Sequence, residues 1–289
     1  MRISVAAAAM ALSLISARTV SAREVLIPNV VAFARGSYGS LWGTEIRLIN
    51  PTSSPKSFRV VDWIGSPRQV PYAITVLPGE TAISGGFGLY TAFVQHPQSM
   101  SVIEEPEFGA AICEADEGLI VLSRILTTTV SNPPGLEGPS SCAPNAGEYV
   151  YTGAVRLGVC NYGVGPILYA DKSFFAPGVP QHLLMLNPRR NHYRTNLVVV
   201  NGDEMESTVS IVVTEATGTT ARIDRKVPGR TYFQLNDIYA LPELEGLEAL
   251  SETTDHFAQR AVVTCSTRCY AIGYVIANQN NTVSVVEPR

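Results

Sequence analysis

One line of this chain is written twice. Residues 41–50 read LWGTEIRLIN and residues 192–201 read HYRTNLVVVN, each with an aromatic second, Thr fourth, aliphatics sixth and eighth, and Asn tenth. Thr44 and Thr195 stand 151 residues apart, as do Asn50 and Asn201. Pro78-Gly79 and Pro228-Gly229 recur at 150, Cys113 and Cys265 at 152, and the apolar runs from Leu119 and Tyr270 at 151. Unrelated coincidences do not hold one offset. A duplicated module of about 110–150 residues, an ordinary domain size, accounts for all of them.

Within each copy the pattern is that of strands. Trp42, Thr44, Ile46 and Leu48 alternate with Gly43, Glu45 and Arg47, which places the first set on one face of a strand, toward a core. Tyr193, Thr195, Leu197 and Val199 repeat that face. Asn50 and Asn201 close the line in a structural role, because an Asn side chain bonds nearby backbone and tolerates turn conformations. FRVVDWI, AITVLPGE, MSVIEE, FGAAICEA and GLIVLSRILT follow in the first copy; TVSIVVTEA, ARIDRKVPG, YFQLND, AQRAVVTC and CYAIGYVIAN follow in the second. Short strands divided by Gly, Pro and Asn turns predict an all-β chain of two tandem antiparallel β-sandwich (Ig-like) domains related by internal duplication. The stretch PELEGLEALSE at 242–252 predicts a short helix, opened by Pro242, with Leu244, Leu247 and Leu250 recurring at three.

The line Trp-x-Thr-x-aliphatic-x-aliphatic-x-Asn-Pro, complete from Trp42 to Pro51, resembles the paired β-sandwich modules of secreted bacterial proteins of uncharacterised function. The second copy departs from it, with Tyr193 for Trp and Gly202 for Pro. The resemblance implies export and implies no reaction.

Residues 1–22 have the form of a signal peptide: Arg2, an apolar run from Ile3 to Ile15, and Val20-Ser21-Ala22 before a cut. The run is shorter than the roughly 20 apolar residues of a membrane span. The expected mature chain starts at Arg23, with one sandwich over 23–132, a Pro/Gly/Ser-rich linker or loop over 133–147, and a second sandwich over 148–289. The segment EYVYTGAVRLGVCNYG is compatible with either sandwich. Export implies a secreted, periplasmic or cell-surface location and oxidised cysteines. Cys265 and Cys269, with three residues between them and apolar runs on either side, predict a disulfide across the end of a hairpin; Cys142 and Cys160 are the second expected pair, leaving Cys113 alone. Their spacing is not that of a zinc site.

The formal net charge is −4, and losing Arg2 and Arg18 makes the remainder more acidic, which argues against nucleic acid as a partner. No H-E-x-x-H, G-x-S-x-G or P-loop line occurs among the residues, and His96, His182, His192 and His256 are scattered. No enzyme, metal or cofactor is expected. The one dense cluster is NPRRNHYR at 187–194, where Arg189, Arg190, His192 and Arg194 are the candidate ligand-binding residues for an anion or acidic glycan. The plainer reading is a solvated turn in which Arg194 pairs with a neighbouring strand. Glu104, Glu105 and Glu107, and likewise Asp203, Glu204 and Glu206, read as solvated turns; Trp63 reads as core rather than a sugar platform. The expected function is a non-catalytic structural or adhesion-type protein whose partner is an extracellular glycan or protein. The alternatives are a carbohydrate- or anion-binding module and a hydrolase with a dispersed site.

Overall fold

The computed structural model describes residues 22–32, 34–35, 40–65, 72–84, 107–130, 149–152, 155–164, 168–169, 172–186, 192–215, 218–245, 247, 259–278 and 283–289. Residues 1–21 of the expected signal peptide 1–22, the MSVIEE strand and the linker 133–147 lie outside them.

The first unit comprises β1 (Ala22–Ala32), β2 (Ala34–Arg35), β3 (Ser40–Ile49), β4 (Lys56–Ile64), β5 (Tyr72–Val76), β6 (Thr81–Ser84), β7 (Glu107–Asp116), β8 (Ile120–Val130), β9 (Tyr149–Thr152), β10 (Val155–Val164) and β11 (Leu168–Tyr169). The second comprises β12 (Gln181–Leu186), β13 (Tyr193–Asn201), β14 (Ser207–Thr214), β15 (Thr220–Val227), β16 (Tyr232–Leu235), β17 (Gln259–Cys265), β18 (Cys269–Ala277) and β19 (Val283–Val286). All described pairings are antiparallel. In the first unit β1-β7-β4-β5 form one sheet; β2-β3-β8-β10-β9 form the other, with β6 on β3 and β11 on β8. The second unit has sheets β12-β17-β14-β15 and β16-β13-β18-β19. The order β1-β7-β4-β5 thus matches β12-β17-β14-β15, and β6-β3-β8-β11 matches β16-β13-β18-β19.

The segment 149–169 completes the first unit. Asn161 pairs with Thr129 and Leu168 with Ser123, both on β8. Strands β10 and β11 thus extend the sheet that contains β8. A strand close in sequence has taken the open edge of β8, the usual fate of neighbouring elements.

Three apolar clusters divide the molecule into four layers. Val25, Ile27, Phe58, Ala111 and Cys113 face Ile46, Leu48 and Val121 inside the first unit. Leu183, Val209, Ile211 and Ala261 face Leu197, Val199 and Ala271 inside the second. A third cluster joins the units: Leu26, Val31, Ile64, Ala110 and Ile112 meet Val198, Val200, Tyr270, Ile272, Tyr274 and Ile276. The strands nearest the seam, β7 in one sheet and β13 and β18 in the other, are therefore buried on both faces over most of their length, which explains why β18 reads CYAIGYVIA without polar alternation. The corresponding sheets occupy opposite layers, so the seam is head-to-tail.

The same register positions carry different chemistry according to layer. Glu45, Arg47 and Arg124 on the outer face of the first unit match Asn196, Val198 and Tyr274 at the seam. Outside, Glu45 accepts from Arg47 Nε at 2.6 Å and lies 2.8 Å from Arg124 Nε. Burial opposes its ionisation, but the two guanidinium groups hold its carboxyl below the usual carboxylate value.

Two bulges aim the seam. The register of β4 slips between Val60 and Asp62, so parity inverts: Phe58 and Val60 point into the first core while Ile64 points to the seam. Trp63 then packs against the first core, as expected for it. A second slip, between Ile27 and Val30 of β1, is held by the repeated threonine. Thr44 Oγ1 donates to Asn29 O at 3.1 Å and accepts from Val31 N at 2.9 Å.

The repeated asparagines also have defined work. Asn50 Nδ2 donates to Ser54 O and Val76 O at 2.8 and 2.9 Å; Asn201 Nδ2 donates to Met205 O and Val227 O at 2.8 and 3.2 Å. Each backbone N–H reaches a carbonyl thirty residues on, Glu80 or Thr231. The left-handed residue of the following turn is Gly79 (φ 75°) in one unit and Arg230 (φ 50°) in the other. Gly229, which precedes it, has no room for a side chain: a Cβ there would lie 1.9 Å from Glu204 O.

The expected helix at 242–252 is replaced, over its described part, by 3-10 turns. Ile238–Ala240 and Pro242–Leu244 close by bonds such as Leu244 N to Leu241 O at 2.9 Å. Three residues per turn stack Leu244 above Leu247, and both are buried.

Cys265 and Cys269 are bonded, with Cα atoms 6.3 Å apart, but not across a hairpin. Cys265 pairs with Val209 in one sheet and Cys269 with Asn201 in the other, so the bridge spans an arch between layers. Apolar-turn-apolar sequence is common to hairpins and arches, and the turn decides here: Ser266 N bonds Thr208 O while Gly202 N bonds Arg268 O. By register Cys265 corresponds to Ala115 in the first unit, and Cys113 to Val263. Cys113 is buried and free, its thiol pushed well up by burial. Cys142 and the side chain of Cys160 lie outside the described residues. Because the sequence separation is only 4, the bridge constrains little unfolded chain; replacing both cysteines with Ala should cost about 2 kcal/mol in urea unfolding. Non-reduced peptide mapping should recover the linked fragment.

Candidate functional site

The arginine turn is only partly within view. Arg189 and Arg190 lie outside the described residues, while His192 and Arg194 lie at the start of β13. His192 is exposed, and its carbonyl accepts from Asn278 N at 2.8 Å. Arg194 is half-buried, and its Nη1 donates to Asn278 Oδ1 at 3.0 Å, a tie to the strand beside it.

The acids after Asn201 each have a cation. Arg268 Nε donates to Asp203 Oδ1 at 2.8 Å and its backbone N–H to Oδ2 at 2.9 Å. Burial works against the Asp203 charge, yet the Arg268 bonds lower its pKa. Lys226 Nζ lies 3.2 Å from Glu206, and Arg230 Nε 3.5 Å from Glu204. Such surface pairs organise turns and contribute little energy. Glu104 and Glu105, the side chain of Glu107, His96 and His256 lie outside the described residues; His182 is exposed on β12. Among the described residues no three His, Cys, Asp or Glu side chains converge, and no helix is long and apolar enough to cross a membrane.

Two polar groupings were invisible to motif reading. One lies on the seam: Asp62, aimed there by the β4 bulge, pairs with Arg230, which also donates to Gly202 O at 2.7 Å. Beside them Tyr232 Oη donates to Asn29 Oδ1 at 3.2 Å. Burial raises the pKa of Tyr232, and burial with the neighbouring Glu287 charge raises that of Tyr270. The other closes the second sandwich at one end, where the β14–β15 hairpin, the turn after β16 and the start of β17 meet. Extending the Thr214–Arg260 pairing by one step sets Glu215 opposite Gln259, on the face that carries Val213 and Ala261. Glu215 is 8% exposed and Gln259 1%. Asp237 is in left-handed backbone, with its N–H bonded to Asn196 Oδ1 at 3.0 Å. Tyr239 stands within electrostatic reach of both acids; burial first, then Glu215 and Asp237, raise its pKa.

Compared with known proteins, the chain matches no family model, no curated sequence and no solved structure.

Proposed function

We infer that this is a non-catalytic, extracytoplasmic structural or adhesion-type protein built from two duplicated Ig-like sandwiches. The observation that carries the reading is the apolar seam, which welds two sandwiches into one four-layer block. Stiff tandem sandwiches suit spacing and display. Export is supported by the N-terminal apolar run and the Cys265–Cys269 bridge. Duplication is supported by the shared strand order and by the matched bonds of Asn50 and Asn201. The Ig likeness is one of two-layer architecture. Connectivity differs: in the second unit the first strand, β12, pairs with the sixth, β17, and the seventh, β18, with the second, β13, where Ig domains pair F with G. The resemblance to secreted bacterial modules rests on the Trp42–Pro51 line.

A hydrolase panel and a glycan array on the purified mature chain test this function. The expected result is no turnover, and no anionic-glycan signal that an R189A/R190A/R194A triple variant removes. Turnover above buffer overturns the non-catalytic reading. A salt-sensitive signal lost in the triple variant supports the anion-binding alternative instead.

A further inference from the structure

We propose that the closed end of the second sandwich is a site for a hard divalent cation of the calcium class, held between Glu215, Asp237, Gln259 and Tyr239. The cation is suggested by what these side chains offer and by what two of them lack. The Gln259 amide is 1% exposed, yet neither its Oε1 nor its Nε2 has a hydrogen-bond partner, and the buried Tyr239 hydroxyl has none either. A buried amide with both atoms unmatched costs several kcal/mol in most settings, and its place opposite Glu215 directs it to the same end of the core as the acids. Apolar neighbours cannot satisfy it: Ile238 and Leu244 on the same turns are core.

The donor set is all oxygen. Two carboxylates, the Gln259 carbonyl oxygen and the Tyr239 hydroxyl are hard ligands, which suit calcium, with its six to eight flexible oxygen positions, better than a soft metal. Gln259 Nε2 is then free to donate to a carboxylate or to a cation-bound water. The Tyr239 hydroxyl contributes a lone pair without adding charge. The elements differ in origin: Glu215 directly follows β14, Asp237 caps and Tyr239 lies in the 3-10 turn after β16, and Gln259 opens β17. A cation there would tie together three segments of one sandwich end. Two carboxylates and no preformed loop place the affinity in the weak range of extracellular modules, about 0.1–1 mM.

The test uses the full mature chain, stripped with chelator and titrated with calcium chloride, then with terbium. At about tenfold excess over the dissociation constant, calcium should raise Tm by about 3–6 °C, and magnesium by less. Glu215→Gln should remove the shift. Terbium emission excited through tyrosine should appear in the parent and vanish in Tyr239→Phe, which keeps the ring and therefore the packing. That second readout stands even if Glu215→Gln fails to fold. A Tm indifferent to calcium would overturn the proposal; Gln259→Met less stable than the parent would then show that ordered water satisfies the amide. Terbium emission undiminished in Tyr239→Phe would overturn it as well.

Discussion

Val198→Asp should cost at least about 4 kcal/mol and either open the seam between the sandwiches or prevent folding. Val198 is fully buried on the face of β13 that meets the first unit. A carboxylate there has no cation to pair with at its register, since its cross-strand partners are Ile272 and Gln234; a lone buried charge is among the costliest single changes. The control is Arg47→Val, at the matching position of the first unit, where the face is outside and the guanidinium is 31% exposed. That change removes one ion pair with Glu45 and should cost less than about 1 kcal/mol. Urea unfolding of both variants, with limited proteolysis between residues 130 and 180, separates the cases. If Val198→Asp melted with the parent, the seam would not be a packed interface.

Asn201→Ala should cost about 3–5 kcal/mol, far more than its size suggests. The side chain is fully buried and makes five bonds: to Met205 O, Val227 O and Pro228 O through Nδ2, and from Asp203 N and Thr267 Oγ1 to Oδ1. Truncation leaves those groups unmatched beneath the turn, and each buried unmatched group costs about 1–3 kcal/mol, offset where water can enter. Asn201→Asp keeps the shape and the acceptor but loses the three donations and sets a charge against carbonyl oxygens. It should be no better. The urea midpoint should fall with an unchanged slope; a loss under about 1 kcal/mol would show that the turn reorganises around the gap.

Legibility in the sequence followed range. Asn50 acts on the turn just after its own strand, through Ser54 and Thr52, and its repetition at Asn201, alongside that of Thr44 at Thr195, marks a structural line in the sequence itself. The strands around them were readable for the same reason, since alternation with period two is local. The arch at Cys265–Cys269 was misread as a hairpin because both bring two short strands together after three residues. The Glu215–Gln259 grouping was invisible, because its members come from three segments and no spacing links them.

What the sequence by itself determined is a line written twice at one offset, the β character of the chain, and the residues that hold its turns. The tertiary structure alone decided the layer to which each strand belongs. Periodicity reports that a face is buried and never against what: Val198 and Val199 are equally apolar and equally buried, yet one meets the other sandwich and the other its own core. The bulge in β4 adds a second decision of this kind, inverting parity after Val60 so that Asp62 reaches Arg230 and Trp63 turns inward. Only packing selects between such registers, because the free energy of burying one face depends on the shape and polarity of the surface that arrives to cover it.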